Sequence, residues 1–273
     1  MPDVHIITGQ TIPRRLFGSD GGYAVRPTSR EERVRIEDRL FAEGRETKIA
    51  SGATSLVFPD ARITSSSIEE YATLAEFALL LLAVAGHPSL LAIGVFSTNE
   101  CSHAWSLEQS SQQLVAPKFA RRMTGKATSQ WIRRCSMARN NLKDRMHITA
   151  SRYVRYARGD NQQDKLTDLC ISLESLLDGK TEIAFRFGCC LAKVTGSKGK
   201  KAEDSAQLLS QLYDLRSKIV HGDPEAIKAM RKMEPNIPLL HMLARTVLTS
   251  YVLFTSERSR EQWKAHLKSC LFT

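Results

Sequence analysis

An arginine and a histidine stand five residues apart in the segment LLSQLYDLRSKIVHGDPEA, residues 208–226. The guanidinium of Arg216 can stabilise the charge of a pentavalent phosphorane. The imidazole of His221 can move a proton to or from a 2′-hydroxyl and a leaving 5′-oxygen. Together they suffice for RNA cleavage without a metal. The sequence contains no phosphate-binding loop, dinucleotide-binding glycine motif, nucleophile elbow or HExxH motif. By themselves, the residues imply only a helix end that is suited to binding phosphate.

An apolar stripe predicts the helix that positions both residues, near 203–221. Its members recur at i, i+4, i+7 and i+11, which is one face of an α-helix: Leu208, Leu212, Leu215 and Ile219. Gly222 is expected to end the helix, Asp223 to cap the next one and Pro224 to begin it. His221 would then lie at the negative end of the first helix, where a cation is favoured.

The spacing of Arg216 and His221 separates them by about 140° around an ideal helix. They converge only if the last turn deforms or if a second copy packs across a two-fold axis, so that Arg216 of one subunit approaches His221 of the other. A second pair, Arg260 and His266, has similar spacing. That pair lacks a glycine stop and a capped restart, and we interpret it as accidental.

Three side chains near the pair are candidates for supporting roles. Tyr213 lies about 60° from Arg216 around the helix, so it either borders the same cleft or packs with its hydroxyl at the surface. Asp214 is a candidate for orienting a neighbouring His or Arg. Lys218 is either a solvated cation or a phosphate contact.

A strongly basic segment, residues 118–158, contains twelve Lys or Arg and a single acid, Asp144, whereas the whole chain carries +10. Trp131, Tyr153 and Tyr156 are interleaved with these cations. Such charge density favours phosphate binding through counterion release, and a solvated helix face is the alternative. Two candidate RNA-binding residues come from this segment: Arg152 and Arg155.

Another candidate RNA contact, Arg186, lies on a helix that we expect Thr181 to open. Its alternative role is an i, i+4 ion pair with Glu182.

The chain has 273 residues, of which 42% are hydrophobic and 25% charged, as is ordinary for a soluble globular protein. We expect an α+β chain: a smaller mixed α/β N-terminal region, 1–115, of sensory or regulatory role, a basic connecting helix, 116–140, and an all-α bundle, 141–273. Short strands are predicted within 1–28, 48–58 and 90–97, and irregular structure over 98–117. Helices are predicted near 29–44, 67–85, 127–140, 142–158, 162–178, 181–195, 203–221, 224–232, 237–256 and 257–270.

The six cysteines form no C-x-x-C pair and the N-terminus has no signal-peptide pattern, so we expect a reduced, cytoplasmic protein. The most apolar run, 77–85, is too short to cross a membrane. We expect no metal and no cofactor.

The segments ISLESLLDGKTEIAFRFGCCLAKVTG, 171–196, and LYDLRSKIVHGD, 212–223, resemble an Apea-like HEPN domain. The resemblance covers about 140–260 and implies a helical bundle. It also implies a metal-independent RNase that dimerises so that two Arg–His motifs form one cleft. By position, the motif residues are Arg216 and His221. The family usually has a polar residue after the Arg, here Ser217, which the resemblance makes a supporting residue.

The resemblance implies a homodimeric endoribonuclease that cleaves tRNA or mRNA by 2′-hydroxyl attack, in antiviral defence or a toxin-like system, with a regulatory partner or phage trigger as a further possibility. The alternative is a catalytically silent HEPN module that binds RNA or protein. A third hypothesis is a subunit that is active only beside another protein.

Overall fold

The structure, a computed structural model, describes residues 3–8, 18–44, 49, 53–58, 65–82, 90–97, 100–106, 125–142, 144–177 and 182–270. The chain divides into two compact units, 1–136 and 137–273. The two units are nearly equal in length, because the N-terminal one includes most of the helix that the sequence analysis placed in a connecting segment. The fold is α+β and mostly helical, as predicted.

The N-terminal unit combines an antiparallel sheet with helices. Its strands are β1 (Asp3–Thr8), β2 (Gly18–Asp20), β3 (Tyr23–Pro27), β4 (Thr54–Phe58), β5 (Leu90–Ser97) and β6 (Glu100–Ser106), and its helices are α1 (Arg30–Ala42), α2 (Ser65–Leu82) and α3 (Gly125–Leu142), which continues into the second unit. The sheet order is β2-β3-β4-β1-β5-β6. All five residues of β4 are buried, so both faces of the sheet are covered at that strand.

Local sequence accounts for the start of α1. The Ser29 side chain accepts the backbone N–H of Glu32 at 3.1 Å, and the Glu32 carboxylate accepts the N–H of Ser29 at 2.9 Å. This capping box satisfies two N–H groups that the first helical turn leaves without a partner. The helix then buries Ile36 and Leu40.

The C-terminal unit is helical throughout its described residues, as the sequence predicted. After α3 come α4 (Asp144–Arg158), α5 (Gln162–Glu174), α6 (Ile183–Val194), α7 (Lys200–Val220), α8 (Ala226–Met233), α9 (Ile237–Thr255) and α10 (Arg260–Ser269). α7 packs against α5, α6, α8 and α9. The buried side of α7 contains three residues of the predicted stripe, Leu208, Leu212 and Leu215, and Ile219 is only half-buried.

Helices α6 and α7 approach each other closely at Gly188. A Cβ at this position would overlap the Ser210 hydroxyl and lie 3.0 Å from the carbonyl oxygen of Ala206. Because α6 and α7 are joined by the short connection 195–199, they form a hairpin whose free end brings the start of α6 to the last turns of α7.

The stretch 226–255 is long and apolar enough to cross a bilayer by length and composition alone. Within it, Leu240, Ala244, Val247 and Leu248 are buried in the C-terminal unit. A core helix needs the same apolar composition, so this stretch gives only weak support to a membrane span.

One prediction for the N-terminal unit is wrong. Residues 98–117 were expected to be irregular, but Glu100–Ser106 forms strand β6, which pairs antiparallel with β5. The segment ECSHAWS contains no β-branched residue, so its own preference for a strand is weak. The ladder with β5 provides the hydrogen bonds. Residues 107–124 and Thr181 lie outside the described residues.

Candidate functional site

The C-terminal end of α7 holds His221 in a defined position. The backbone N–H of Asp223 donates to the carbonyl of Lys218 at 2.9 Å, and the N–H of Gly222 donates to that of Ile219 at 3.2 Å. Gly222 has a φ of +65°, which L-residues rarely adopt. These two hydrogen bonds and the positive φ form a Schellman motif. His221 is the C-cap residue of α7, and its side chain is exposed.

The predicted restart of the chain after Gly222 is wrong in detail. Helix α8 begins at Ala226 with Glu225 as its N-cap residue, not at Pro224 with Asp223 as the cap. The Asp223 carboxylate instead accepts the backbone N–H of Glu225 at 2.8 Å, and the Asp223 carbonyl accepts the N–H of Ala226 at 2.9 Å. These bonds close a turn between the two helices, which delays the start of α8 by two residues.

Arg216 lies on the side of α7 that faces α5. Its Nη2 is 3.8 Å from Oε2 of Glu174, the last residue of α5. Both side chains are half-buried, with exposed fractions of 27% and 26%. Among the described residues, the buried Nε of Arg216 has no hydrogen-bond partner. A guanidinium has five N–H donors, so Arg216 retains hydrogen-bonding capacity beyond this one ion pair.

Arg216 and His221 do not contact each other within the described part of one chain. Arg216 is directed towards Glu174, whereas His221 is exposed at the helix end. Because α7 is continuous up to Val220, ideal geometry separates the two residues by about 140° around the axis and about 7.5 Å along it. A single copy therefore presents the two groups on different sides of one helix end.

The residues that flank Arg216 have structural contacts of their own. The Tyr213 ring packs against the Phe187 ring of α6 with centroids 5.4 Å apart. Burial raises the pKa of Tyr213, with a smaller contribution from the nearby carboxylate of Glu174. Tyr213 thus lies beside the Arg216–Glu174 pair, where it was predicted to border the site. The carbonyl of Ser217 accepts the backbone N–H of His221 at 3.0 Å.

In the described part of the chain, Asp214 is paired with a lysine and not with a histidine or an arginine. Its carboxylate pairs with the Lys218 ammonium at 2.8 Å, an i, i+4 ion pair along α7. The hydrogen bond with Asp214 raises the pKa of Lys218. This arrangement explains both side chains as a surface pair, and their supporting and RNA-binding roles stay predictions.

The two arginines predicted from the basic segment share one carboxylate. Asp168 is buried on α5, and it pairs with Arg152 at 2.7 Å and with Arg155 at 3.4 Å. A buried carboxylate needs such partners because removing a charge from water is costly. Part of the positive charge of Arg152 and Arg155 is therefore neutralised within the fold, although Arg155 remains 65% exposed.

Arg186 lies beside Cys190, which follows it by one turn along α6. Burial raises the pKa of the Cys190 thiol, and the Arg186 guanidinium opposes that shift. Glu182, the proposed partner of Arg186, precedes α6 with a left-handed φ of +55°. RNA binding by Arg186 stays a prediction.

The aromatic residues of the basic segment are core residues. Trp131, Tyr153 and Tyr156 are at most 6% exposed. The Trp131 indole N–H donates to the carbonyl of Ala78 at 3.0 Å within the N-terminal unit. These rings therefore offer no face on which a nucleobase could stack.

Glu174 and Asp168 are the site residues that sequence reasoning missed. Both lie on α5 among buried apolar residues such as Leu169 and Leu173. A carboxylate in such surroundings requires a cationic partner, and this was the available signal. The identity of each partner depends on the packing of α5 against other helices, which no local pattern specifies.

Among the described residues, no group of three or more His, Cys, Asp or Glu side chains could hold a metal ion. A comparison with protein-family models, curated proteins and solved structures finds no match to this chain.

Proposed function

We propose that this chain is a metal-independent endoribonuclease of the HEPN type that cleaves tRNA or mRNA as a homodimer. The observation that carries the proposal is the pairing of two features at one helix end. Arg216 has a buried Nε without a hydrogen-bond partner among the described residues and a single loose ion pair. His221 is exposed and is held by a Schellman cap one and a half turns further on.

The unpaired donor is the stronger of these two features. A buried N–H that lacks an acceptor costs about 1–3 kcal/mol, so folded proteins rarely leave one without a reason. A phosphate oxygen is an acceptor that would satisfy it, and a guanidinium binds phosphate through two parallel N–H groups. A phosphodiester bound by this guanidinium would supply an acceptor that the described part of the protein does not.

In the proposed reaction, the 2′-oxygen of RNA attacks the adjacent phosphorus and the bond to the 5′-oxygen breaks. Arg216 stabilises the additional negative charge on the phosphorane oxygens. His221 of the opposite subunit accepts the proton of the 2′-hydroxyl and then donates this proton to the leaving 5′-oxygen. The products are a 2′,3′-cyclic phosphate and a 5′-hydroxyl, as the family resemblance implies.

A two-fold dimer supplies the second helix end that this reaction needs, because Arg216 and His221 of one chain diverge. Co-expression of two inactive variants tests this arrangement. Arg216→Ala and His221→Ala chains are each expected to be inactive, and co-expression should restore cleavage because one composite site retains both groups. Light scattering of the purified chain should give the mass of a dimer. A monomer, or no recovery on co-expression, contradicts the shared site.

The activity itself is tested by incubating the full chain with labelled tRNA and total RNA in EDTA. Cleavage that survives chelation and is lost in His221→Ala supports the proposal. Binding without cleavage supports the alternative, a silent HEPN module. Sequencing of RNA ends after induced expression in a bacterial host would then identify the RNA that is cut.

A role in antiviral defence or as a toxin, in the cytoplasm, follows from the family resemblance alone. In that role the N-terminal unit would sense a trigger, select the RNA or restrain the activity. Growth arrest on expression that is relieved by Arg216→Ala would mean that no outside partner or phage trigger is required. Growth arrest that appears only when a partner or phage is present would support a regulated enzyme.

A further inference from the structure

Glu174 and Arg216 belong to a small cluster across the contact between α5 and α7. Cys170 and Glu174 are one turn apart on α5, and Tyr213 and Arg216 are one turn apart on α7. The charges of Glu174 and Arg216 both act on the Cys170 thiol and on the Tyr213 hydroxyl, with opposite signs, and burial raises the pKa of each. Four side chains from two helices therefore lie close together, with Cys170 fully buried and the other three half-buried.

The ion pair in this cluster is loose compared with others in the same unit. The distance of 3.8 Å between Arg216 Nη2 and Glu174 Oε2 exceeds the range of a hydrogen bond, whereas Arg152 lies 2.7 Å from Asp168. A pair at this distance fixes the direction of the guanidinium through charge and leaves its N–H groups available. A phosphate that arrived beside Arg216 could thus bind without first breaking a short hydrogen bond.

Given the function proposed above, we propose that Glu174 is a positioning residue for Arg216. The carboxylate holds the guanidinium on the α5 side of α7 and limits the rotamers it samples. It also neutralises part of the charge, so that RNA is bound less tightly before the reaction. The negative charge that develops on the phosphorane then attracts the guanidinium more strongly than the bound substrate does. This difference favours the transition state over the bound substrate.

Removal of the Glu174 charge should therefore change binding and turnover in opposite directions. Glu174→Gln keeps the shape of the side chain and loses its charge. We expect uncleavable 2′-O-methyl RNA to bind about threefold to fivefold more tightly, the scale of one partly exposed charge pair. We expect KM to fall and kcat to fall about tenfold, because the guanidinium is less well oriented. Glu174→Asp keeps the charge and should recover part of kcat.

Asp204→Asn is the matched control, because Asp204 pairs with Lys200 at 3.4 Å on the same helix and has no role in the site. It should leave RNA affinity, kcat and melting temperature unchanged. In an Arg216→Ala background, Glu174→Gln should have no further effect on RNA affinity. A Glu174→Gln chain that matches Asp204→Asn in all measurements overturns the proposal, and so does one that loses kcat and melting temperature together with unchanged affinity.

The affinity measurement does not depend on cleavage. If the wild-type chain cuts no RNA in any assay, the proposed function fails. The change in affinity for 2′-O-methyl RNA still decides whether Glu174 controls the charge that Arg216 presents.

Discussion

The C-terminal unit places histidines in two contrasting settings. His221 caps α7 with its imidazole in solvent. His266, in the last turn of α10, stacks on Phe254 with ring centroids 5.0 Å apart, and its ring centroid lies 5.6 Å from that of Trp263. Each histidine follows an arginine by five or six residues, Arg216 and Arg260. Similar spacing therefore occurs once at an open helix end and once in an aromatic cluster.

This difference shows what spacing leaves out. The cluster around His266 is a packing feature, since the Trp263 indole N–H also donates to the carbonyl of Leu176 at 2.8 Å. A stacked imidazole cannot approach a scissile phosphate without losing those contacts. The end of α7 has the opposite character, because its cap orders the backbone and leaves the side chain free. The glycine that the sequence places after His221, and does not place after His266, is the residue that makes this difference.

The largest expected effect separates the two histidines. His221→Ala should lower RNA cleavage by about 10²–10⁴-fold, the contribution of a general acid or base, with the melting temperature unchanged. His266→Ala should leave cleavage by the folded chain intact and lower stability, because aromatic contacts add about 0.5–1.5 kcal/mol each beyond burial. Cleavage of a defined tRNA and thermal unfolding measure both. His147, exposed on α4, gives the matched control His147→Ala. If His266→Ala abolished cleavage and His221→Ala did not, the assignment of His221 as the catalytic histidine would be wrong.

Arg216 and Arg260, the arginines that precede these two histidines, are expected to differ in the same way. Arg216→Lys keeps the charge and loses the planar fork, so cleavage should fall by about 10²-fold or more. Arg260→Lys, at the first residue of α10, should leave kcat and KM unchanged. Single-turnover cleavage with excess enzyme measures the chemical step directly. Equal losses in both variants would mean that bulk positive charge, not the fork of Arg216, supports the reaction.

A third histidine, His241, is half-buried, and its burial should make the stability of the protein depend on pH. His241 is hydrogen-bonded to Tyr156, 3.1 Å away, and burial, with the charges of Arg245 and Lys165, lowers its pKa to about 4. The unfolded chain, with a histidine pKa near 6.5, binds this proton more readily. Stability should therefore be full above about pH 6.5 and fall by roughly 3 kcal/mol as the pH drops to 4.

His241→Gln cannot titrate, so it should flatten this part of the stability curve, measured by urea unfolding between pH 4 and 7. His147→Gln, at an exposed position, should keep the wild-type dependence. An unchanged slope in His241→Gln would show that other groups cause the acid sensitivity.

The smallest expected effect concerns the cap itself. Gly222→Ala meets no atom within 4 Å, so its cost is the strain of an alanine at φ +65°, about 1–2 kcal/mol. Gly196, with φ +71° and equally open surroundings, should show the same loss of stability in Gly196→Ala. Only Gly222→Ala should also reduce cleavage, since it displaces His221. Equal cleavage by both variants would mean that the cap does not position the imidazole.

Much of the fold could be predicted because local signals were strong. The capping box of Ser29 and Glu32, the stripe of Leu208, Leu212 and Leu215, and the glycine after His221 each act within a few residues. The helices therefore lie close to their predicted bounds. Strand β6 was missed because its segment contains no β-branched residue, and its hydrogen bonds come from the antiparallel ladder with β5.

The site was predictable only in part, for a similar reason. The exposure of His221 follows from the helix end, which the sequence indicated. The contacts of Arg216 with Glu174 and of Arg152 with Asp168 join different helices, so they depend on how the bundle packs. Asp214 was proposed to support the site by orienting a neighbouring His or Arg, and its pairing with Lys218 is an ordinary i, i+4 contact that helical spacing alone would have suggested.

Gly188 determines how closely α6 and α7 can pack. Since a side chain at position 188 would collide with Ser210 and Ala206, the observed approach of α6 to α7 requires glycine there. This approach also brings Phe187 of α6 against Tyr213. A library that varies position 188 should recover glycine whether or not RNA cleavage is selected, and it would thereby report correct assembly of the hairpin separately from catalysis.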